Sequence, residues 1–197
     1  MTKEARYTQR LMDRQGARWK RLLRVQLPYR WNLRRLRPGF TLEVGCGIGR
    51  NLGHLDGGAV GIDHNRHSVE LCRKSGFEAY TPEEFRRSSY RAASFDSLLF
   101  SHVAEHMRHA EFVQLLADYV PALRAHGRVI VVAPQEAGYR SDPTHVEFVD
   151  PEKIRAAVEQ VGFTPIREYS FPFPRLFGHF FPYNEFVSVC ARRADEP

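Results

Sequence analysis

The chain has 197 residues, enough for one well-cored domain and short for two. Hydrophobic residues make up 43% and aromatics 12%, which excludes a disordered chain, and no apolar run approaches the roughly 20 residues of a membrane-spanning helix. The net charge of +6 is concentrated at one end: residues 1–38 hold 12 Lys or Arg against Glu4 and Asp13, leaving 17 basic and 21 acidic groups in the other 159 residues. That basic segment suits a phosphate backbone, an anionic lipid surface or simply solvent. The N-terminus MTKEARYTQRLMDRQ has no apolar core of a signal peptide. Cys46, Cys72 and Cys190 form no paired spacing, which speaks against a disulfide framework or a cysteine zinc site and for a cytoplasmic, reduced protein.

In chain order, residues 4–36 read as helical and are interrupted at Pro28, because an interior proline removes a hydrogen bond and clashes with the preceding turn. RPGF (37–40) is a turn, so a basic helical extension over 1–38 precedes a main domain over 39–197. Strands follow at FTLEV (40–44), GAVGI (58–62), FEAY (77–80), FDSLLF (95–100) and RVIVVA (128–133), then TPIREYS (164–170) and FVSVCAR (186–192). The spacing predicts helices over 68–76, 111–127 and 150–163, each with a glycine stop; Asp150 is the N-cap of the last, with Pro151 at its first position. Alternating strands and helices imply an α/β fold with a mostly parallel sheet. The last two strands lack a long intervening helix, so one of them turns back antiparallel.

Three stretches carry chemistry. In TLEVGCGIGRNL (41–52), Gly45, Gly47 and Gly49 fall where the first strand hands over to a helix, and backbone without Cβ atoms lets a ligand approach closely. The phasing is GxGxG rather than the GxGxxG of nicotinamide-binding folds, which argues against a dehydrogenase. Asp63 closes the second strand, twenty residues after Glu43, where an acid can accept hydrogen bonds from both hydroxyls of a ribose. HVAEHM (102–107) sets His102, Glu105 and His106 at i, i+3 and i+4, one face of a helix if a helix begins there. SDPTHVEF (141–148) places His145 in the loop after the fifth strand, beside Asp142 and Glu147. An imidazole there suits a general base, since it titrates near neutral pH. Each of these histidines can equally serve as a structural hydrogen-bonding group. YSFPFPRLFGHFFPYNEF (169–186) holds more aromatic side chains than a surface loop needs, and fits either an acceptor pocket or a homodimer contact.

The ExGxGxG turn, the acid closing the second strand, SFDSLLFSHVAEHM and GRVIVVAP together resemble the class I S-adenosyl-methionine-dependent methyltransferases over roughly residues 40 to 192. The resemblance implies a Rossmann-like fold with a seven-stranded, mostly parallel sheet. It implies that Gly45, Cys46, Gly47 and Gly49 line the methionine part of the cofactor, with Glu43 near its ammonium group. Asp63 would bind the ribose and His64 flank the adenine. Glu83 and Phe85, in TPEEF, would reach the adenine, and Ser101 would lie near the sulfonium. HVAEHM is similar to the ExxEH element of quinone-biosynthesis O-methyltransferases, in which two acids and a histidine hold a divalent metal such as magnesium. His102 replaces the first acid here, which favours a softer ion. The DPTHV loop and compact size resemble small actinobacterial O-methyltransferases of polysaccharide assembly, such as those acting on mannosides. These likenesses imply O-methylation of a sugar, an oligosaccharide or another small hydroxyl compound, with His145 as base, Asp142 as its helper, and His102, Glu105 and His106 as a metal or proton-handling group. The alternative is an RNA methyltransferase using the basic arm; the stretch after the fourth strand reads SHVA, not the NPPY-like run of base N-methylation, and nucleic acid is the less favoured partner. A third class, a non-catalytic binder that keeps only the cofactor pocket, is disfavoured by the polar residues at the expected reaction site.

Overall fold

A computed structural model describes residues 26–193. The helix expected over residues 4–25, with most of the basic arm, lies outside the described residues. The chain divides into two compact units, residues 1–89 and 90–197. Seven strands form one sheet in the order β3-β2-β1-β4-β5-β7-β6.

In the first unit, helix α1 (Leu27–Arg35) begins with Pro28 in its first turn. The expected break at this proline is therefore a helix start, where the missing N–H is not needed. Leu33 and Leu36 are buried. Arg30 and Arg34 pair with Asp56, and Arg34 Nε donates to the His54 carbonyl at 2.7 Å, which ties the described end of the basic segment to this unit. Strands β1 (Thr41–Val44) and β2 (Ala59–Ile62) run parallel and are buried throughout, as parallel strands covered on both faces must be. Helix α2 (Arg50–His54) follows β1. Helix α3 (Arg66–Lys74), capped by the Asn65 side chain on the His67 N–H, leads to the short β3 (Ala79–Tyr80). Helix α4 (Pro82–Phe85) starts with a capping box between Thr81 and Glu84.

The second unit holds β4 (Phe95–Ser101), α5 (His109–Tyr119), β5 (Leu123–Pro134), α6 (Glu136–Arg140), α7 (Pro151–Gln160), β6 (Phe163–Phe171) and β7 (Glu185–Arg192). The helix expected over 111–127 ends at Tyr119: Pro121 cannot continue it, and residues from Leu123 onward join the sheet instead. Leu123 pairs with Phe95 and Arg128 with Ser97, so residues 124–127 form an irregularity within the long strand. Asp150 caps α7 by accepting the Lys153 N–H at 2.9 Å, and Gly162 with φ 83° ends that turn, both as the sequence requires. β7 is antiparallel to β5 and to β6. Consequently β4, β5 and β6 all end at the edge where β7 begins. Pro165 falls in β6, the last strand of the sheet, beside a register shift, one of the places where a strand tolerates a residue with no N–H. Phe95, Leu99, Phe100, Leu116, Ile130, Ile154 and Phe163 form the unit's fully buried interior.

Candidate active site

In the first unit, β1 stops at Val44 and the chain turns through Gly45, Gly47 and Gly49, with φ of 80°, 54° and 81°. These are left-handed values that side chains resist. At Gly49 a Cβ would also stand 2.8 Å from the Phe77 ring, so packing and conformation both demand glycine. Two backbone bonds, from the N–H groups of Gly45 and Cys46 to the Ile62 carbonyl at 2.8 and 2.9 Å, hold the turn against β2. Asp63 completes the clamp: Oδ2 accepts the Gly47 N–H and Oδ1 the Asn65 N–H, each at 2.8 Å. Each carboxylate oxygen keeps a second lone-pair position for a diol.

Glu43 is buried one residue before the end of β1. Oε1 accepts from Asn51 Nδ2 at 2.7 Å, and Oε2 has no hydrogen-bond partner. Burial pushes its pKa up to about 8, against the opposing help of Asn51 and Arg50. A buried carboxylate with an unanswered oxygen is what a ligand ammonium group would satisfy. The Cys46 thiol turns to the Gly47 carbonyl at 3.8 Å, and Cys72, which sequence reasoning left out of the site, donates to the same oxygen at 3.3 Å. Asn51 was also missed; its signal is a polar residue in the first turn of the helix that follows the glycines. His64 is exposed, with Nδ1 3.6 Å from Asp63 Oδ1. Glu83 is exposed beside Arg86, whereas Phe85 is a buried contact edge-on to Tyr80.

The second unit gathers the other candidates. Ser101 ends β4 half-buried. His102 then takes a φ of 57°, rare for a residue with a Cβ, while its N–H stays bonded to the Val132 carbonyl at 2.9 Å. The helix face expected at 102–106 does not form: only Ala104–His106 make a single 3-10 turn. His102 instead places Nε2 2.8 Å from Glu185 Oε1 and Nδ1 3.2 Å from Glu105 Oε1. Burial alone would lower its pKa, but the Glu105 and Glu185 carboxylates outweigh that and lift it to about 9. Both ring nitrogens of His102 face carboxylates, and the expected grouping of His102 with Glu105 and His106 as three ligands is not what the structure assembles.

His145 takes the third place. One ligand atom from each of Glu105, His106 and His145 lies within 4.8 Å of the others. The loop after α6 is brought there by two backbone bonds, from the N–H groups of Val146 and Glu147 to the Glu105 carbonyl at 2.7 and 3.2 Å. His145 stacks on Tyr139 with centroids 5.4 Å apart and places Nδ1 2.7 Å from the Tyr139 carbonyl oxygen. A carbonyl only accepts, so Nδ1 carries the proton and Nε2 keeps its lone pair. His106 Nδ1 faces the Thr144 carbonyl at 3.3 Å, with the same consequence. Glu105 is fully buried; Oε1 lies 3.2 Å from His102 Nδ1, and Oε2 has no hydrogen-bond partner. Asp142 Oδ1 accepts from the N–H and hydroxyl of Thr144 at 3.1 and 2.8 Å and so shapes the turn that carries His145. Glu147 is engaged by Lys153 Nζ at 2.6 Å and by the His109 N–H at 2.9 Å. Tyr139 and Glu185 were not singled out from the sequence, since neither lies in a motif and only the folded chain brings them to the histidines.

A glycine turn clamped by an acid, a buried unanswered glutamate and this strand order have a known counterpart. Residues 42–131 match the family model described as a methyltransferase domain. That match covers 90 of the 197 residues, and over it the sequence is similar to methyltransferase domains. Among solved structures, the methyltransferase fold agrees with that of a SAM-dependent methyltransferase from Archaeoglobus fulgidus, with a TM-score of 0.65 and 18% identity, covering 84% of this chain and 93% of that one. It also agrees with magnesium protoporphyrin IX methyltransferase from Synechocystis with bound SAM, with a TM-score of 0.60 and 12% identity over 98% of both chains. Two curated proteins are similar in sequence. The mitochondrial ubiquinone biosynthesis O-methyltransferase of Mus musculus is 28% identical over 150 residues, 61% of this chain and 40% of its own length. The tRNA (carboxymethyluridine(34)-5-O)-methyltransferase alkbh8 of Xenopus tropicalis is 30% identical over 91 residues, 45% of this chain and 14% of its own. The chain thus spans less than half the length of the curated relatives it matches. Among the described residues, no helix is long and apolar enough to cross a membrane.

Proposed function

We propose that this protein is an O-methyltransferase that moves the methyl group of S-adenosyl-methionine to a hydroxyl of a small compound. In this reading the first unit holds the cofactor: Asp63 takes the ribose diol, Glu43 the ammonium group, and the turn Gly45-Cys46-Gly47 with Gly49 the methionine part. The reading is carried by one observation in the second unit, two imidazoles with available Nε2 atoms beside a buried carboxylate whose Oε2 has no hydrogen bond. A hydroxyl is a poor nucleophile until its proton is removed, and carbon or sulfur acceptors make less use of such a group. His145 is the base, receiving the proton at Nε2 while the Tyr139 carbonyl holds Nδ1–H and fixes the ring.

The same three residues fit a divalent ion. Two imidazole nitrogens and one carboxylate suit zinc, manganese or iron better than magnesium, and carbonyl partners on the far ring nitrogens are the usual support of ligating histidines. Glu105, His106 and His145 would hold it, and when bound it would lower the pKa of the acceptor hydroxyl. With an ion held there, His145 Nε2 would be a ligand and would not take the acceptor proton. Elemental analysis of the purified protein, and a shift of its melting temperature on adding each ion to chelator-treated protein, separate the two roles. No bound metal and no shift with any ion would leave His145 as the base.

A sugar hydroxyl is the acceptor class favoured by the Asp142–His145 loop, and that loop alone supports it, since the names of the curated relatives concern ubiquinone biosynthesis and tRNA. Methyl transfer from labelled cofactor to a panel of sugars, phenols and RNA, read by product mass, tests the assignment; labelling of nitrogen or sulfur acceptors alone would overturn it. The second reading, a tRNA acceptor, draws on the alkbh8 likeness and the 12 basic residues of positions 1–38. Steep loss of tRNA binding with added salt would support it.

A further inference from the structure

We propose that the loop joining β6 to β7, residues 172–184, docks the protein on a bilayer surface that carries anionic headgroups. The inference does not depend on the acceptor named above. Among the described residues nine large hydrophobic side chains are exposed, and five of them, Phe173, Leu176, Phe177, Phe180 and Tyr183, fall in this one loop. Leu176 and Phe180 are the extremes, at 69% and 79% exposed, and stand four residues apart across the 3-10 turn Arg175–His179. Scattered apolar residues on a surface are ordinary; five within thirteen positions form a patch.

The loop is held firmly enough to keep that patch outward. Asn184 is fully buried and grips both strands of the loop: Oδ1 accepts the Phe173 N–H at 2.9 Å, and Nδ2 donates to the Phe173 carbonyl at 3.1 Å and to Gln135 Oε1 at 3.0 Å. Gln135, also fully buried, donates to Ser170 Oγ and to the Glu185 carbonyl. Gly178 lies so close over it that a Cβ would overlap Gln135 Oε1, at 1.8 Å. Phe173 and Phe181 pack edge to face beneath the outer side chains. The apolar tips therefore have no inward arrangement to collapse into without breaking this amide clamp.

Charge selects the occupant. PFPRLFGHFFPYN contains Arg175 and His179 and no acid. Arg140 donates to the His179 carbonyl at 3.1 Å and adds a second guanidinium at the loop's base. Glu136 pairs with Arg175 and stands 3.9 Å from His179, which leaves the Arg140 guanidinium in excess at the loop's base. Apolar tips flanked by cations are how peripheral proteins enter the headgroup region of an anionic leaflet. The 12 basic residues of positions 1–38 would add to the same attraction.

The test is co-sedimentation of the full chain with vesicles of phosphatidylcholine, with and without phosphatidylglycerol, comparing wild type with the double variant Leu176→Ser, Phe180→Ser. Both side chains are outside the site machinery, so cofactor binding by calorimetry stays at the wild-type value and reports on folding. Wild type sediments with the phosphatidylglycerol vesicles and much less with phosphatidylcholine alone. The variant binds on the order of 100-fold more weakly, about tenfold per buried apolar side chain removed. Three results overturn the proposal: no sedimentation of wild type, equal binding by the variant or by neutral vesicles, or a wild-type homodimer that the double variant converts to monomer in ultracentrifugation. The last would make the loop a self-association surface.

Discussion

The glycine turn of the first unit and the histidine cluster of the second do their work by different kinds of bond. In the turn, backbone N–H groups of Gly45, Cys46 and Gly47 are fixed by the Ile62 carbonyl and by Asp63, and all of the parts fall within residues 43–63. In the cluster, Glu105, His106 and His145 come from segments almost forty residues apart, and each imidazole has a backbone carbonyl oxygen at its Nδ1. A turn of the first kind is shaped before ligand arrives. The second kind leaves one oxygen of a buried carboxylate, Glu105 Oε2, without a hydrogen bond and open to what binds there. Substitutions should therefore separate the two regions cleanly, with chemistry lost in one and affinity in the other.

The sharpest separation is expected at His145. His145→Ala removes the Nε2 proposed to receive the acceptor proton or hold an ion, and should lower kcat by roughly 10²–10⁴-fold, the usual range for a lost acid–base group. Cofactor affinity by calorimetry should not move. If turnover survives intact while cofactor binding falls, the assignment of the two regions is reversed. The converse substitution is Asp63→Ala, which takes away the proposed acceptor of the diol and releases the Gly47 N–H together. Cofactor Kd should rise by about 10- to 100-fold, since a hydrogen bond to a charged group contributes about 1.5–3 kcal/mol. Gly49→Ala comes next. It forces a side chain into φ 81° and against Phe77, and should cost about 1–3 kcal/mol in urea unfolding, with a smaller loss of cofactor affinity.

The same contrast explains what could be read from the chain alone. Local spacing reports local structure, so the strands near 41–44, 59–62, 95–101 and 185–192, the Asp150 cap and the Gly162 stop were all legible. The glycine turn and Asp63 were legible for the same reason. Periodicity misled at 120–127, where apolar residues at helical spacing run straight into a proline and then a strand. It misled again at His102, because a left-handed residue at the end of β4 reverses the direction in which the histidine points. No pattern announces that. Glu185 is 83 positions from His102 and is paired to it through β7, whose place beside β5 is a property of the topology. His145 was picked out as a base from its loop, but its company with Glu105 and His106 depends on two backbone bonds to the Glu105 carbonyl that side-chain identities do not encode.

Glu43 best sharpens the comparison, because its Oε2, like that of Glu105, is buried without a hydrogen bond. Its folded pKa is raised by burial to about 8 from an ordinary 4.5, so between these values the native chain holds a proton that the unfolded chain has released. Stability conferred by that proton is present at pH 4.5 and below and falls as pH rises towards 8, then levels. Glu43→Gln removes the titration. Urea midpoints measured from pH 5 to 9 without cofactor should fall for wild type relative to the variant, by a total on the order of a few kcal/mol. With cofactor the order should invert. An ammonium group beside Oε2 favours the ionised carboxylate, so wild-type affinity should climb as pH approaches 8 while that of the variant stays flat and weaker. Parallel affinity profiles for the two proteins would mean that the cofactor ammonium binds elsewhere, and Glu43 would then be a buried acid held only for the Asn51 bond that keeps α2 against β1.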